Sequence, residues 1–225
     1  MITKCPTDTN ADMATRRYVQ RTRTRLLAAT IGRYGLVATA TGVETLALVV
    51  WLAFVEDAAL FSRAAVAGVA VLALGLLLTH YLLDLAVNGI DGASLGLTDA
   101  AVSASGTALW VAWLAAVAWV GSLAGLLGAG VLLAVLLVSQ HTVADSAFRG
   151  RALPSNVADL RTLGFSVVQA GGATLWLCSA RWSDLVAPFL AELGLSAIEP
   201  AVAGVGALAA ALLVEHVCAV AFARR

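Results

Sequence analysis

The sequence predicts an all-α, polytopic membrane protein with six transmembrane helices, arranged as three repeated helical hairpins. Three observations predict it. The composition is 60% hydrophobic and 12% charged, with mean hydropathy +0.90. A soluble domain carries about 25% charged residues to cover its surface. Six apolar runs are each long enough to cross a bilayer, whose hydrocarbon core of ~30 Å needs about 20 helical residues. The three histidines of the chain recur at one equivalent place in the second, fourth and sixth runs. Composition therefore excludes soluble, disordered and nucleic-acid-binding classes, and the expected surroundings are a lipid bilayer.

A polar, basic segment at residues 1–33 precedes a six-helix transmembrane domain at 34–225. The segment lacks an apolar run ending in small residues, so it does not read as a secretory signal, and the first span is expected to persist. Residues 13–33 read as a helix in which Arg17, Arg21 and Arg25 share one face. Such a basic face suits the anionic lipid headgroups of an inner leaflet.

The spans are expected at 34–55, 62–87, 99–120, 123–144, 162–180 and 200–222. All four prolines fall outside these spans or, as Pro200, at a first helical turn where the missing N–H costs nothing. The fifth span is the most polar, with Ser166, Gln169 and the pair Gly171-Gly172. Asn156 and Asp159, after Pro154, suggest a start nearer Asn156. Between the fifth and sixth spans, Ser183-Asp184 and Gly194 bracket a short interfacial helix over Leu185–Leu193. Gly121-x-x-x-Gly125 permits close approach across a very tight turn between spans three and four. Trp51, Trp119 and Trp182 fit an outer aromatic belt, whereas Trp110, Trp113 and Trp176 lie deeper.

Orientation follows from the basic residues. With the N-terminus inside, Lys4, Arg16, Arg17, Arg21, Arg23, Arg25, Arg33, Arg149, Arg151, Arg161, Arg224 and Arg225 fall on the cytoplasmic side, and only Arg63 and Arg181 fall outside. This asymmetry places both termini in the cytoplasm and the chain in the cell membrane.

The hairpin repeat rests on a 61-residue offset that aligns His80, Asp84, Ala86 and Gly89 with His141, Asp145, Ala147 and Gly150. His216 takes the same place in the last span. Gly106-x-x-Leu109-Trp110 likewise matches Gly172-x-x-Leu175-Trp176.

Ionisable groups inside a span are costly and mark functional positions. Here they gather at one depth. His80, Asp84, His141, Asp145, Glu215 and His216 lie in the cytoplasmic third of their helices, and Glu44 lies in the inner half of the first. Thr39, Thr41, Thr45, Ser103, Ser105, Thr107, Ser166 and Gln169 add polarity at similar depth, while the outer halves are apolar. The pattern describes a polar vestibule opening inward beneath an apolar plug. His80 and Asp84 are four residues apart, as are His141 and Asp145. Each aspartate could therefore accept from its imidazole N–H and fix the tautomer.

The leading functional reading is a small transporter or channel-like protein whose vestibule is lined by Glu44, His80, His141, Glu215 and His216. One alternative is a membrane-embedded metal or haem protein, or an enzyme, using the three histidines. Another is a non-catalytic subunit docked through its basic helix. No cofactor and no metal are assigned: three cysteines (Cys5, Cys178, Cys218) form no CxxC, and HExxH and phosphate-binding loops are absent. Gly-x-Ser-x-Gly is missing too, and Lys4, the single lysine, is not in a span where it could carry retinal. His-x-x-x-Asp is similar to one motif of intramembrane CAAX-type proteases. The paired glutamates followed by arginine of those enzymes are missing, because Glu44 stands alone and Glu215 is followed by His216.

Overall fold

The computed structural model describes residues 9–59, 61–93, 95–150 and 158–224, with side chains described from Leu27 onward. The described residues are helical and contain no strand. In chain order they form α1 (Thr9–Val55), α2 (Arg63–Asn88), α3 (Leu97–Val120), α4 (Leu123–Phe148), a 3-10 turn (Leu160–Thr162), α5 (Leu163–Arg181), α6 (Ser183–Glu192) and α7 (Pro200–Ala223). Six of these helices are long and apolar enough to cross a membrane, with α1 qualifying from Leu27 onward. The side chains of Arg17, Arg21 and Arg25, and the residues Lys4, Cys5, Arg151, Pro154, Asn156 and Arg225, lie outside the described residues.

Local chemistry sets most of the boundaries. Ser62 caps α2 by accepting from the Ala65 N–H at 3.1 Å, and Ser122 caps α4 by accepting from Gly125 N–H at 3.1 Å. Gly121 ends α3 in the left-handed conformation at φ 63°, which a side chain would strain. The α3–α4 turn is consequently only two residues long. Asp159 accepts from the Arg161 N–H at 2.9 Å and starts the turn that leads into α5. Among the described residues the fifth span begins at Leu160, and the expected start near Asn156 lies outside them. The short helix after the fifth span forms as α6, and Gly194 follows it at φ 73°.

The basic helix and the first span are one uninterrupted helix. Gly32 and Gly35 do not stop it, because neither is followed by a proline or a turn sequence, and Leu26, Leu27, Ala28, Ala29 and Ile31 carry the apolar character down to Arg33. Arg33 breaks that run without breaking the helix: its Nε donates to the Ala86 carbonyl at 3.0 Å, near the C-terminal end of α2. Trp51 is not in a belt. It is 1% exposed and packs in the core, whereas Trp119 is 91% exposed on the outer surface.

The six long helices form a closed ring. Each packs against its neighbour in the chain, α5 against α7 across α6, and α7 returns to α1. Helices α2, α4 and α7 also touch one another, so they face the centre of the ring. Outward faces carry exposed apolar side chains such as Leu46, Leu74, Val131, Val135 and Val202, as lipid contact requires. On the side away from the termini, the centre is filled by Trp51, Leu72, Trp113, Val117, Leu126, Leu133, Trp176, Leu177 and Leu208. A smaller apolar cluster, Val37, Ala40, Leu83, Ala86, Phe148 and Val220, lies toward the termini.

The terminal end is fastened by Arg149, which caps α4. Its Nε donates to Asp145 Oδ1 at 3.0 Å and its Nη2 donates to the Phe222 carbonyl at 2.8 Å, near the end of α7. Arg149→Ala is expected to cost about 2 kcal/mol, the worth of hydrogen bonds from a charged donor. Reversible unfolding of the variant and wild type in the same detergent checks it.

Candidate functional site, a buried carboxylate and histidine cluster

Between the apolar plug and the terminal cluster lies a cavity of about 200 Å³. Its deep wall runs past Leu76, Gly106, Trp110 and Leu137, and its other lining includes Asp145, Arg149, Asp159, Arg161 and Phe222 from the terminal ends of the helices. All three histidines reach this wall, as do Glu44 and Glu215.

Four of the expected residues form one cluster. His216 on α7 is 1% exposed, Glu215 5% and Glu44 4%. The His216 Nε2 atom lies 3.1 Å from Glu44 Oε2 on α1 and 3.1 Å from Glu215 Oε2. The other Glu215 oxygen, Oε1, lies 3.5 Å from His141 Nε2 on α4. Glu215 therefore stands between two imidazoles, and helices α1, α4 and α7 meet there.

Hydroxyls on the neighbouring helices orient both rings. His216 Nδ1 is 2.9 Å from Thr41 Oγ1, and that hydroxyl donates its own proton to the Val37 carbonyl at 3.0 Å. His141 Nδ1 is 2.8 Å from Ser166 Oγ, whose proton goes to the Thr162 carbonyl at 2.8 Å. A hydroxyl has one hydrogen. While that hydrogen stays on the helix carbonyl, the oxygen accepts and the imidazole donates from Nδ1; in the other tautomer the hydroxyl donates to Nδ1. Both Nε2 atoms are left facing carboxylates.

His80 occupies a separate part of the wall. Its Nε2 lies 3.0 Å from Asp99 Oδ1 at the start of α3, and its ring stacks on Phe148 at 4.4 Å. The i,i+4 pairing expected from spacing is replaced in both helices. Asp84 accepts from the Asn88 amide at 2.6 Å, and Asp145 pairs with Arg149 at 3.0 Å. Both aspartates lie near helix ends, where donors from the last turn reach them more easily than the inward-turned rings do.

Asp99 was not legible as a site residue. It also accepts from the Gly96 N–H at 2.7 Å and so caps α3, which is what an acid at the first turn of a span ordinarily signals. Two further groups stand out. The Gln169 Oε1 and Ser103 Oγ atoms are buried, line the cavity and have no hydrogen-bond partner among the described residues. Gln140 also lines it, with its amide fixed by Ser105 Oγ at 2.8 Å and the Val102 carbonyl at 2.9 Å. Among the described residues no group of three or more His, Cys, Asp or Glu is placed to hold a metal ion. No family model, curated protein or solved structure matches this chain.

Proposed function

We propose that this multi-pass membrane protein is a small transporter that moves a solute in exchange for protons, through the vestibule on the side of its termini. The observation that carries the reading is the position of Glu215, with one carboxylate oxygen facing each of two imidazole Nε2 atoms. Buried carboxylates and imidazoles in a membrane form proton relays. With each Nδ1 held by a hydroxyl in either tautomer, the labile protons belong to the Nε2–carboxylate contacts among Glu44, His216, Glu215 and His141. These contacts span three helices, so loss or gain of a proton changes the attraction between helices that must move in alternating access.

The arginine asymmetry supports a cytoplasmic position for this face, with both termini inside a cell membrane. The hairpin repeat is supported by the order of histidine contacts. His80 of the first hairpin meets α3 of the second, His141 of the second meets α5 of the third, and His216 of the third meets α1 of the first. A vestibule framed by repeats is a common plan for transport proteins.

The test is reconstitution into vesicles holding a pH-sensitive dye and an imposed proton gradient. A panel of small cations, anions and neutral solutes is then added outside. At least one solute class is expected to discharge the gradient faster with wild-type protein than with Glu215→Gln or with empty vesicles. If no solute does so, and a membrane potential drives no proton flux either, the transport reading is wrong.

A further inference from the structure

The deep wall of the cavity is rich in acceptors. One imidazole, His216, is shared by two carboxylates, Glu44 and Glu215, at 3.1 Å each. The second imidazole, His141, faces the other Glu215 oxygen, at the longer distance of 3.5 Å. Whenever His141 is neutral, one of the two carboxylates requires either a proton or an external cation, because an unpaired charge at this burial is strongly disfavoured. Among the described residues no lysine or arginine pairs with either carboxylate. Arg149 is bound to Asp145 and the Phe222 carbonyl, and Arg161 is exposed at the mouth.

The same cavity is lined by Gln169 and Ser103, whose Oε1 and Oγ atoms are buried without a hydrogen-bond partner among the described residues, in residues 4% and 6% exposed. A buried acceptor without a donor costs stability, so its survival in a cavity wall points to a guest that brings the donor. The rest of the wall includes the rings of Trp110 and Phe165. Aromatic faces attract cations and cover small apolar groups.

Resting on the transport reading, and naming its substrate class, we infer that the cavity binds a small organic ammonium ion. Its charge replaces the labile proton at the Glu44–Glu215 pair. Its N–H groups, three in a primary ammonium, reach carboxylate, Gln169 Oε1 and Ser103 Oγ, and its carbon skeleton lies against Trp110 and Phe165. A carboxylate or phosphate guest would meet Glu44 and Glu215 head-on. A neutral alcohol would satisfy an unpartnered oxygen and bring no charge to the carboxylates. A volume of about 200 Å³ suits a compact amine.

The experiment is a titration of the full-length protein in nanodiscs with benzylammonium, benzyl alcohol, benzoate and tetramethylammonium, read by calorimetry and tryptophan fluorescence. Benzylammonium is expected to bind, and the other three to bind at least about tenfold more weakly, since each lacks either the charge or the N–H donors. Gln169→Leu is expected to weaken benzylammonium binding to folded protein about tenfold. Ser103→Ala, which removes the second unpartnered oxygen, is expected to act in the same direction. Equal binding of benzyl alcohol or benzoate overturns the inference. So does failure of benzylammonium to bind folded protein, or unchanged affinity in both variants. The two readings fail separately. A proton gradient discharged by an anion or a neutral solute leaves transport standing and removes the ammonium class. Ammonium binding with no flux of any solute leaves the site standing and removes transport.

Discussion

Glu215→Gln is expected to slow solute-driven proton flux about 100-fold, the lower end of what a positioned proton-transfer group contributes. Glutamine keeps the shape of the side chain, so α7 keeps its packing, and an amide neither takes nor releases a proton in this range. What is lost is the one group that faces both His141 and His216, at 3.5 and 3.1 Å. Glu44→Gln should be milder, about tenfold, because Glu44 meets His216 and leaves the Glu215–His141 half intact. Glu56→Gln is the matched control. Glu56 makes a partly exposed 4.0 Å pair with Arg181 at the opposite end of the bundle, a contact of little energetic worth, and its flux should equal wild type. Rates in the same vesicle preparation, normalised to reconstituted protein, decide the comparison.

Gly172→Val is expected to destabilise the protein by about 3 kcal/mol, the upper part of the usual range for overpacking. Gly172 on α5 faces α7 at close approach. A Cβ there would collide with the Ala211 methyl, lie 3.1 Å from the Ala207 carbonyl oxygen and 3.5 Å from the Leu208 Cα. Two of these three obstacles are backbone, which cannot swing aside. The seam is tight from the other side too, since a Cβ on Gly204 would lie 2.7 Å from Ser179 Cβ and 3.1 Å from Trp176 Cα. The clash would push apart the two helices that carry Gln169 and Glu215, so ligand binding should fall with stability. Its neighbour supplies the control: Gly171 is exposed and a Cβ there meets nothing within 4 Å. Gly171→Val should therefore leave the melting temperature near wild type. A fall of similar size in both variants would mean that helix propensity, not the α5–α7 seam, is responsible.

These two variants also show which parts of the molecule are legible in sequence. The six spans are, because a run of about 20 apolar residues has one physical outcome in a bilayer, and Ser62, Gly121 and Pro200 mark their ends by local rules. The depth of the polar groups is legible for the same reason: position along a helix converts directly to height. Direction around the helix is not. His80 and His141 lie on one depth line, yet His141 faces Glu215 while His80 turns to Asp99 and Phe148. With apolar residues on all sides of a membrane helix, there is no amphipathic stripe to tell the inner face from the outer. Nor does i,i+4 spacing select a partner when other donors compete, as Asn88 does for Asp84 and Arg149 for Asp145. The boundary between the basic segment and the first span is one of polarity, near Arg33, and the helix itself continues through it. Depth alone misplaces Trp51, since a tryptophan near a span end turns inward as readily as toward the interface, and Trp51 is 1% exposed.

The convergence of two histidines, and not the third, on one buried carboxylate is the claim on which the rest depends. Having only three histidines makes it directly measurable. Nitrogen NMR of the protein labelled at histidine, in nanodiscs, should give three resolvable rings. Glu215→Gln is expected to shift the Nε2 resonances of both His141 and His216 and to leave His80 where it is. A shift confined to His216, its neighbour in the chain, or an equal shift at His80, would contradict the shared site.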